Sequence, residues 1–549
     1  MVRSRIVFSA VVWLISLSTF AQDRYMVFFT DKDNVPFTID APEAFLSQRA
    51  IDRRDRMDIP ITEMDLPVDQ SYINQVADSG AEVFFTSKWF NGVLAEMTSA
   101  QATQVANLSF VDRVDYVAAG AKLTSSPGTY SIAETFEEPD NVNSDTRLQL
   151  LMLGADDMHE DGYRGEGMII AVFDSGFPGV NKYKPFEHIF EEERLVATKD
   201  FIRNSGDVFQ YHTHGTSVLS NIASDYNKVI GTAPKASYVL CVTEDVSNEY
   251  RIEEYNWLFA AEFADSIGVD IINGSLGYST FSDSEMNYSY EDLDGHTTVV
   301  SQAAKMASDR GILVVVSAGN EGNGSWKYIT SPADAENILT VGSVTSGYSK
   351  SGFSSIGPTA DGRIKPDVCA MGTMASIFST SLSGGEAVGG RITTGNGTSF
   401  SSPQIAGFAA GIWQANPHWT NLEVIESLKL SGTSSLQPDT LLGYGVPKYQ
   451  LAVNGATIDA IDVLDDKLKV YPNPFSDDKI TLDFDGMVIR GKMEILVQDG
   501  NGKKLFEGQL DGSKIPSTLE ISFRPTGNGV YYLILRSKRF NKTVKLIKI

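Results

Sequence analysis

Residues 148–455 of this 549-residue chain read as an α/β domain, a parallel sheet with helices on both faces. A small α+β unit is predicted ahead of it (22–117) and a β-sandwich behind it (463–549). Three observations carry this reading. In the middle, short and almost unbroken Val/Ile/Leu runs alternate with helical patterns. Ahead of them, residues 118–147 turn to Ser, Glu, Asp, Asn and Pro without periodicity, the composition of an exposed linker that proteases reach easily. Behind them, strand-like pieces are split by Asp-Gly and Asn-Gly turns.

The elements follow in chain order. Arg3 and Arg5 precede an apolar run from Ile6 to Phe20, and Thr19-Phe20-Ala21 offers a small-residue cleavage site, so residues 1–21 are predicted to be an export signal. The run is short for a bilayer span, and no later stretch approaches about twenty apolar residues, which predicts no transmembrane anchor. Tyr25–Phe29, Ala81–Phe85 and Gly92–Met97 read as strands, and Ala44–Ile51 as a helix with apolar positions three and four apart. In the middle domain Met168–Phe173, Tyr238–Val242, Val269–Asn273 and Ile312–Val316 read as buried strands. Helices are predicted at His214–Ala223, Ile252–Ile267 and around Val299–Ser308. In sheets of this kind the chemistry collects at the carboxyl ends of the strands. The last segment offers strands at Lys467–Tyr471, Ile480–Phe484, Met493–Gln498, Val530–Arg536 and Thr543–Ile547.

Composition narrows the function. The formal net charge of -25 opposes nucleic acid or an anionic membrane as the main partner. The two cysteines, Cys241 and Cys369, sit in apolar stretches and read as buried free thiols rather than as a disulfide framework or a nucleophile.

The stretch GNGTSFSSPQIAG (395–407) holds three serines in four positions, and a serine hydroxyl needs a positioned base before it can act as a nucleophile. Candidate partners lie at other element ends. Asp174 follows the first buried strand in Phe173-Asp174-Ser175-Gly176, where an unpaired carboxylate would be costly to bury. His214 opens a helix in His214-Gly215-Thr216-Ser217. Asn320 follows an apolar strand in Ser317-Ala318-Gly319-Asn320.

Together these stretches resemble the subtilisin-type serine peptidases, whose triad runs Asp, His, Ser along the chain. Gly231-Thr232-Ala233-Pro234, Ser275-Leu276-Gly277, Lys365-Pro366-Asp367-Val368 and Gly443-Tyr444-Gly445 extend the resemblance across the middle domain. It implies a subtilisin-like fold and an endopeptidase using Ser399 as nucleophile, His214 as base and acid, and Asp174 as its orienter. It further implies Asn320 and the Ser399 N–H as oxyanion donors, Ser275–Gly277 as the edge that pairs with an extended protein or peptide substrate, and no cofactor in the chemistry. Ser401 and Ser402 lack the Gly-Thr-Ser context, and Pro403 fits a helix beginning. His212 lacks the Gly-Thr that follows His214, while His159, His188, His296 and His418 read as surface or capping residues.

Two positions depart from the family pattern: Gln404 stands where a histidine is common and Ser175 where threonine is. Thr330 falls near the first specificity pocket, since Ser331-Pro332-Ala333 resembles the segment beside it, and no acid is placed there, so trypsin-like preference is not predicted. Structural calcium is common in the family; Asp292-Leu293-Asp294-Gly295 is the best oxygen-ligand candidate, with a solvated turn as the rival reading, so no metal ligand is assigned. Residues 25–117 resemble an inhibitory propeptide, with an accessory binding domain as the alternative. Val470-Tyr471-Pro472-Asn473-Pro474-Phe475 and Gly529-Val530-Tyr531-Tyr532-Leu533 resemble the sorting domains of the type IX secretion machinery of Gram-negative bacteria, implying release outside the cell or display on the outer membrane. A catalytically silent surface-binding or adhesion relative is the competing function. A lipase is opposed by the Asp, His, Ser order.

Overall fold

The computed structural model describes residues 22–120, 130–142, 144–384, 386–454, 468–484, 492–511, 518–536 and 541–549. The predicted export signal, the linker residues 121–129 and 143, and Lys467 lie outside the described residues. The chain divides into two compact units. Among the described residues, one gathers 22–45, 61–120 and 250–252; the other gathers 46–60, 130–249 and those from 253 onward.

The first unit is built on a four-stranded antiparallel sheet in the order Glu82–Ser87, Gly92–Met97, Asp23–Phe29, Val111–Ala118. Alternate residues Val27 and Phe29 join Val93, Ala95, Val76 and Val105 in its core. Thr98 and Gln101 close a reciprocal capping box at the start of helix Ser99–Val105. The strand Val111–Ala118, missing from the sequence reading, carries Asp112, Arg113 and Asp115 and is half-buried or exposed except at Val117 and Ala118.

The main sheet of the second unit has seven strands, ordered Val368–Met371, Leu339–Val344, Leu313–Ser317, Ile271–Gly274, Ile169–Asp174, Ser237–Val242, Leu195–Asp200. Every neighbouring pair is parallel. The three strands at one end of this order are buried at every position; Leu313–Ser317 reads as a continuous apolar run, whereas Leu339–Val344, broken by Thr340, Gly342 and Ser343, and the four-residue Val368–Met371 are missing from the sequence reading. Leu195–Asp200 is the opposite edge; its Thr198 and Lys199 are only half-buried, and its mixed composition hides it from hydropathy. Helices His214–Ala223 and Ile252–Ile267 have the predicted bounds, and Val299–Asp309 ends one residue later.

The serine-bearing helix runs Thr398–Ala415 and is buried from Thr398 to Trp413. Gly407 allows its close approach to the Gly-Thr-Ala-Pro loop, since a Cβ there would lie 2.1 Å from Thr232 Oγ1. Pro403 is not at the helix start but inside it. Its missing N–H would have bonded the carbonyl of Ser399, four residues back. That carbonyl instead accepts from Ser275 Oγ at 3.1 Å.

Two segments depart from the sequence reading. The helix expected at Ala44–Ile51 runs Gln48–Met57, because Ser47 caps it by accepting from the Ala50 N–H. Its buried positions are Ala50, Arg53 and Arg54 rather than an apolar stripe. In the predicted linker, Asn141–Val142 adds as a parallel strand to the hairpin Ala375–Ser383/Glu386–Gly395. Just upstream, Phe136 is buried, its ring 5.5 Å from Phe190. Pairing and burial that depend on partners 50 residues or more away leave no local periodicity to read.

The C-terminal segment forms two sheets, Lys469–Tyr471/Lys479–Asp483/Thr518–Ser522 and Lys504–Asp511/Lys492–Asp499/Gly529–Arg536/Asn541–Lys548. Phe475, Leu482, Ile495 and Leu533 belong to one shared core, as a sandwich requires. Among the described residues no helix is long and apolar enough to cross a membrane.

Candidate active site

Asp174 is the last residue of the central strand Ile169–Asp174 and is fully buried. Its Oδ1 accepts from the Ser175 N–H at 2.8 Å and from Ser175 Oγ at 3.0 Å, so the serine that replaces the usual threonine still holds the carboxylate. The remaining acceptor capacity faces His214, whose Nδ1 lies 2.9 Å from Oδ1 and 3.0 Å from Oδ2. Two glycines make this approach sterically available. A Cβ at Gly215 would lie 2.4 Å from the Gly176 carbonyl and 2.8 Å from Asp174 Cβ. Gly176 adopts φ 136°, and a Cβ there would meet the Gln210 carbonyl at 2.1 Å.

Burial pulls the His214 imidazole toward the neutral form, but the charge of Asp174 and its hydrogen bond, with a smaller push from Glu244, outweigh this and raise its pKa above the ordinary histidine value. The ring is thereby oriented with Nδ1–H toward Asp174, leaving Nε2 for a proton acceptor's role.

The three serines separate clearly. Ser401 Oγ donates to the Ala370 carbonyl at 3.1 Å, and Ser402 Oγ donates to Asn273 Oδ1 at 2.9 Å; both are buried. Ser399 Oγ has no hydrogen-bond partner among the described residues and lines a cavity of about 520 Å³ with His214, Asn320 and Ser275–Gly277. Gly397 leaves room beside it, since a Cβ there would lie 3.0 Å from Ser399 Oγ. Ser399 is in the first turn of its helix, where backbone N–H groups have no intrahelical acceptor and the helix field favours an anion.

Asn320 is exposed at the same mouth. Its Oδ1 accepts from the Thr398 N–H at 2.9 Å and from Thr398 Oγ1 at 3.1 Å, which orients the amide so that Nδ2 is the donor left over. Ser275 is pinned on both sides, accepting from Asn273 Nδ2 at 3.1 Å while donating to Ser399 O. Thr330 closes against this segment; a Cβ at Gly277 would lie 2.1 Å from its Oγ1.

His212, set aside on motif grounds, also lines the cavity. Its Nδ1 accepts from the backbone N–H of His214 at 3.3 Å, so it caps the helix start rather than touching Ser399 or Asp174. The other four histidines lie outside the cavity. His159 bonds the Thr232 carbonyl at 3.0 Å, and His296 lies 3.7 Å from Glu336. Gln404, where the family often has histidine, donates to the Met371 and Phe400 carbonyls, both at 2.7 Å, and so ties the serine helix to a strand end. Both cysteines are buried and free, with burial pushing the Cys369 thiol up to about 12.

The sequence reading missed the acidic wall of this cavity, formed by Glu244, Asp245, Glu249 and Glu253. Burial pushes the Glu244 carboxyl up to about 8 although Tyr278 and Thr243 donate to it. Glu253 is raised to about 10, mainly by burial and then by the charge of Glu244. The Thr-Glu-Asp-Val-Ser-Asn-Glu run after strand Ser237–Val242 was the available signal, at the carboxyl edge of the sheet where sites gather. At the acidic loop considered for calcium, Asp292 accepts from the Ser289 N–H and Oγ, and Asp294 accepts from the His296 and Thr297 N–H groups. Those carboxylates close turns. Among the described residues no group of three or more His, Cys, Asp or Glu is arranged to hold a metal ion.

A buried carboxylate aligned with an imidazole at the carboxyl edge of a parallel sheet, beside a serine at a helix N-terminus, is the constellation of a nucleophilic hydrolase. Comparison with known families narrows the class. The Peptidase S8 model, the subtilase family, matches residues 165–445, and the chain belongs to that family. The Peptidase S8 propeptide domain of Bacteroidota matches residues 24–130, and the secretion system C-terminal sorting domain matches 469–549. Among similar proteins, Subtilisin NAT of Bacillus subtilis subsp. natto is 31% identical over 281 residues, covering 50% of this chain and 63% of its own length. Subtilisin of Bacillus pumilus is 30% identical over 281 residues, covering 50% of this chain and 87% of its own length. Serine protease AprX of Bacillus subtilis (strain 168) is 30% identical over 315 residues, covering 53% and 67%. The crystal structure of MycP1 from Mycobacterium smegmatis aligns over 60% of this chain and 95% of its own at 20% identity, with a TM-score of 0.43.

Proposed function

We propose that the chain is a secreted serine endopeptidase made as a zymogen, which cleaves peptide bonds through an acyl-enzyme on Ser399. Ser399 Oγ adds to the substrate carbonyl carbon as His214 Nε2 takes its proton. The oxyanion accepts from Asn320 Nδ2 and from the Ser399 N–H. His214 then gives the proton to the departing amine, and water repeats the two steps to release the acid product. Asp174 holds the imidazole and its developing charge. The segment Ser275-Leu276-Gly277, which lines the cavity, pairs with an extended substrate backbone. The Asp174–His214 alignment carries this reading, together with an unengaged Ser399 hydroxyl in the same cavity. A silent binding relative would have no use for a buried carboxylate aimed at an otherwise exposable histidine. The propeptide match supports a zymogen, and the sorting-domain match supports export by the type IX machinery to the medium or the outer-membrane surface.

The test is covalent labelling of the processed protein with a fluorophosphonate beside a Ser399→Ala variant. We expect label on the wild type alone; equal labelling of both would remove Ser399 as nucleophile.

A further inference from the structure

The helix Gln48–Met57 lies within the stretch matched to a propeptide, yet it folds as part of the compact unit that holds the catalytic sheet. Its anchors are side chains rarely spent on a temporary contact. Arg53 Nη2 lies 2.6 Å from Asp265 Oδ1, and Arg54 Nη2 lies 3.0 and 2.9 Å from Asp265 Oδ1 and Oδ2. These three side chains are no more than 1% exposed. Arg53 also donates to the Val269 carbonyl at 2.6 Å and to the Arg310 carbonyl at 3.1 Å. Arg49 pairs with Asp270 and donates to the Gly268 and Gly167 carbonyls at 2.9 and 2.8 Å. Ser47 bonds the carbonyls of Ser266 and Ile267 through its N–H and Oγ. Packing is equally close. A Cβ at Gly268 would lie 2.8 Å from Ala50 N, and one at Gly311 would lie 2.6 Å from Met57 Sδ.

The position of these contacts in the sheet is the second observation. Gly167, Asp270 and Gly311 precede the strands that begin at Ile169, Ile271 and Leu313. The helix therefore sits at the amino-terminal edge of the sheet. Asp174 ends, and Ser275 and Asn320 follow, the same strands at the carboxyl edge, and strands of this length, rising about 3.3 Å per residue, hold the two edges roughly 15 to 20 Å apart. A helix at the amino-terminal edge does not occupy the cleft.

We propose that residues 46–60 are a permanent strap of the mature enzyme. On the zymogen reading above, cutting the linker and removing the rest of the propeptide leaves this segment bound non-covalently, so that the working protease is a two-fragment assembly. Truncating a buried, doubly hydrogen-bonded charge pair weakens an interface by two or more orders of magnitude in its dissociation constant, which sets the expected grip.

The experiment uses the full-length Ser399→Ala protein carrying a recognition site for an unrelated protease between residues 120 and 130, so that cleavage does not depend on its own catalysis. After cutting, the complex is digested with thermolysin, and the high-mass fraction from gel filtration is analysed by mass spectrometry. We expect a peptide spanning 46–60 to co-elute with the catalytic chain after the remainder of 22–120 is gone. Its absence from a catalytic chain that keeps its thermal transition would overturn the proposal. Asp265→Asn should speed loss of the peptide on the order of 100-fold. Should that variant fail to fold, Arg49→Ala, at the partly exposed end of the interface, should speed it about 10-fold. Release at the wild-type rate in either folded variant would equally refute the arginine grip. Failure of fluorophosphonate labelling in the wild type would strike the catalytic reading alone.

Discussion

Replacing Asp174 by Asn isolates what the buried carboxylate contributes. The substitution keeps size and one oxygen for the Ser175 N–H, but removes the charge and presents an amide N–H toward His214 Nδ1. That donor favours the wrong imidazole tautomer, with the proton on Nε2, where Ser399 needs an acceptor. The electrostatic share follows from the geometry. Nδ1 lies 2.9 and 3.0 Å from the two carboxylate oxygens, which puts the centres of the carboxylate and a developing imidazolium about 4 Å apart. At an effective dielectric of about 20 that is worth about 4 kcal/mol. At about 1.36 kcal/mol per decade the charge alone accounts for about a thousandfold in rate, and the tautomer cost carries the expected loss in kcat toward 10⁴-fold. The assay is steady-state hydrolysis of a chromogenic peptide amide near pH 8, with circular dichroism and a thermal melt to certify folding. The acid limb of kcat/KM gives a second readout. Asp174 holds the His214 pKa up, so the limb should move to lower pH in the variant. A folded Asp174→Asn protein within tenfold of wild-type kcat would refute the assignment of Asp174 as the orienting acid.

Two further substitutions probe the surroundings. Gly215→Ala places a methyl 2.4 Å from the Gly176 carbonyl and 2.8 Å from Asp174 Cβ; about 1–3 kcal/mol of overpacking strain then falls on the acid–imidazole pair, and we expect kcat to drop at least about tenfold, so unchanged turnover would show that the close approach is dispensable. Glu253→Gln tests the acidic wall by pH. Burial raises the Glu253 carboxyl to about 10 in the folded protein, against about 4.3 for a free glutamate. The native state thus keeps a proton that the unfolded chain surrenders, and stability is fully present below about pH 4 and erodes as pH rises toward 10. The glutamine still accepts from the Asp245 N–H, so Tm should rise at about pH 8 to 9 and match wild type at about pH 4; a pH-independent difference would contradict it.

What could be read directly from the chain was whatever is locally encoded. The buried strands ending at Asp174 and Ser317 announce themselves as apolar runs, and Gly-Thr-Ser and His-Gly-Thr place their side chains at helix starts. Helices His214–Ala223 and Ile252–Ile267 emerged with the right ends for the same reason. What escaped depends on distant partners. The buried face of Gln48–Met57 includes Arg53 and Arg54, whose burial depends on Asp265 and on the Val269 and Arg310 carbonyls, more than 200 residues away. Asn141–Val142 becomes a strand only because Arg391 and Ile392 offer an edge. Pro403 looked like a helix-start residue until the hydroxyl of Ser275 proved to serve the carbonyl it cannot reach. In the cavity, the glutamates were legible as composition but not as a wall, since their convergence requires the loop after Val242 to face Ser275 and Ser399.

The helix that carries Ser399 is enclosed by protein from Thr398 to Trp413. The backbone that positions the hydroxyl has no private mobility: it shifts only when the interior around it loosens. Heat, denaturant or a distant core substitution should therefore silence turnover at the same point at which the domain melts, and residual activity becomes a gauge of how much of the population is still folded.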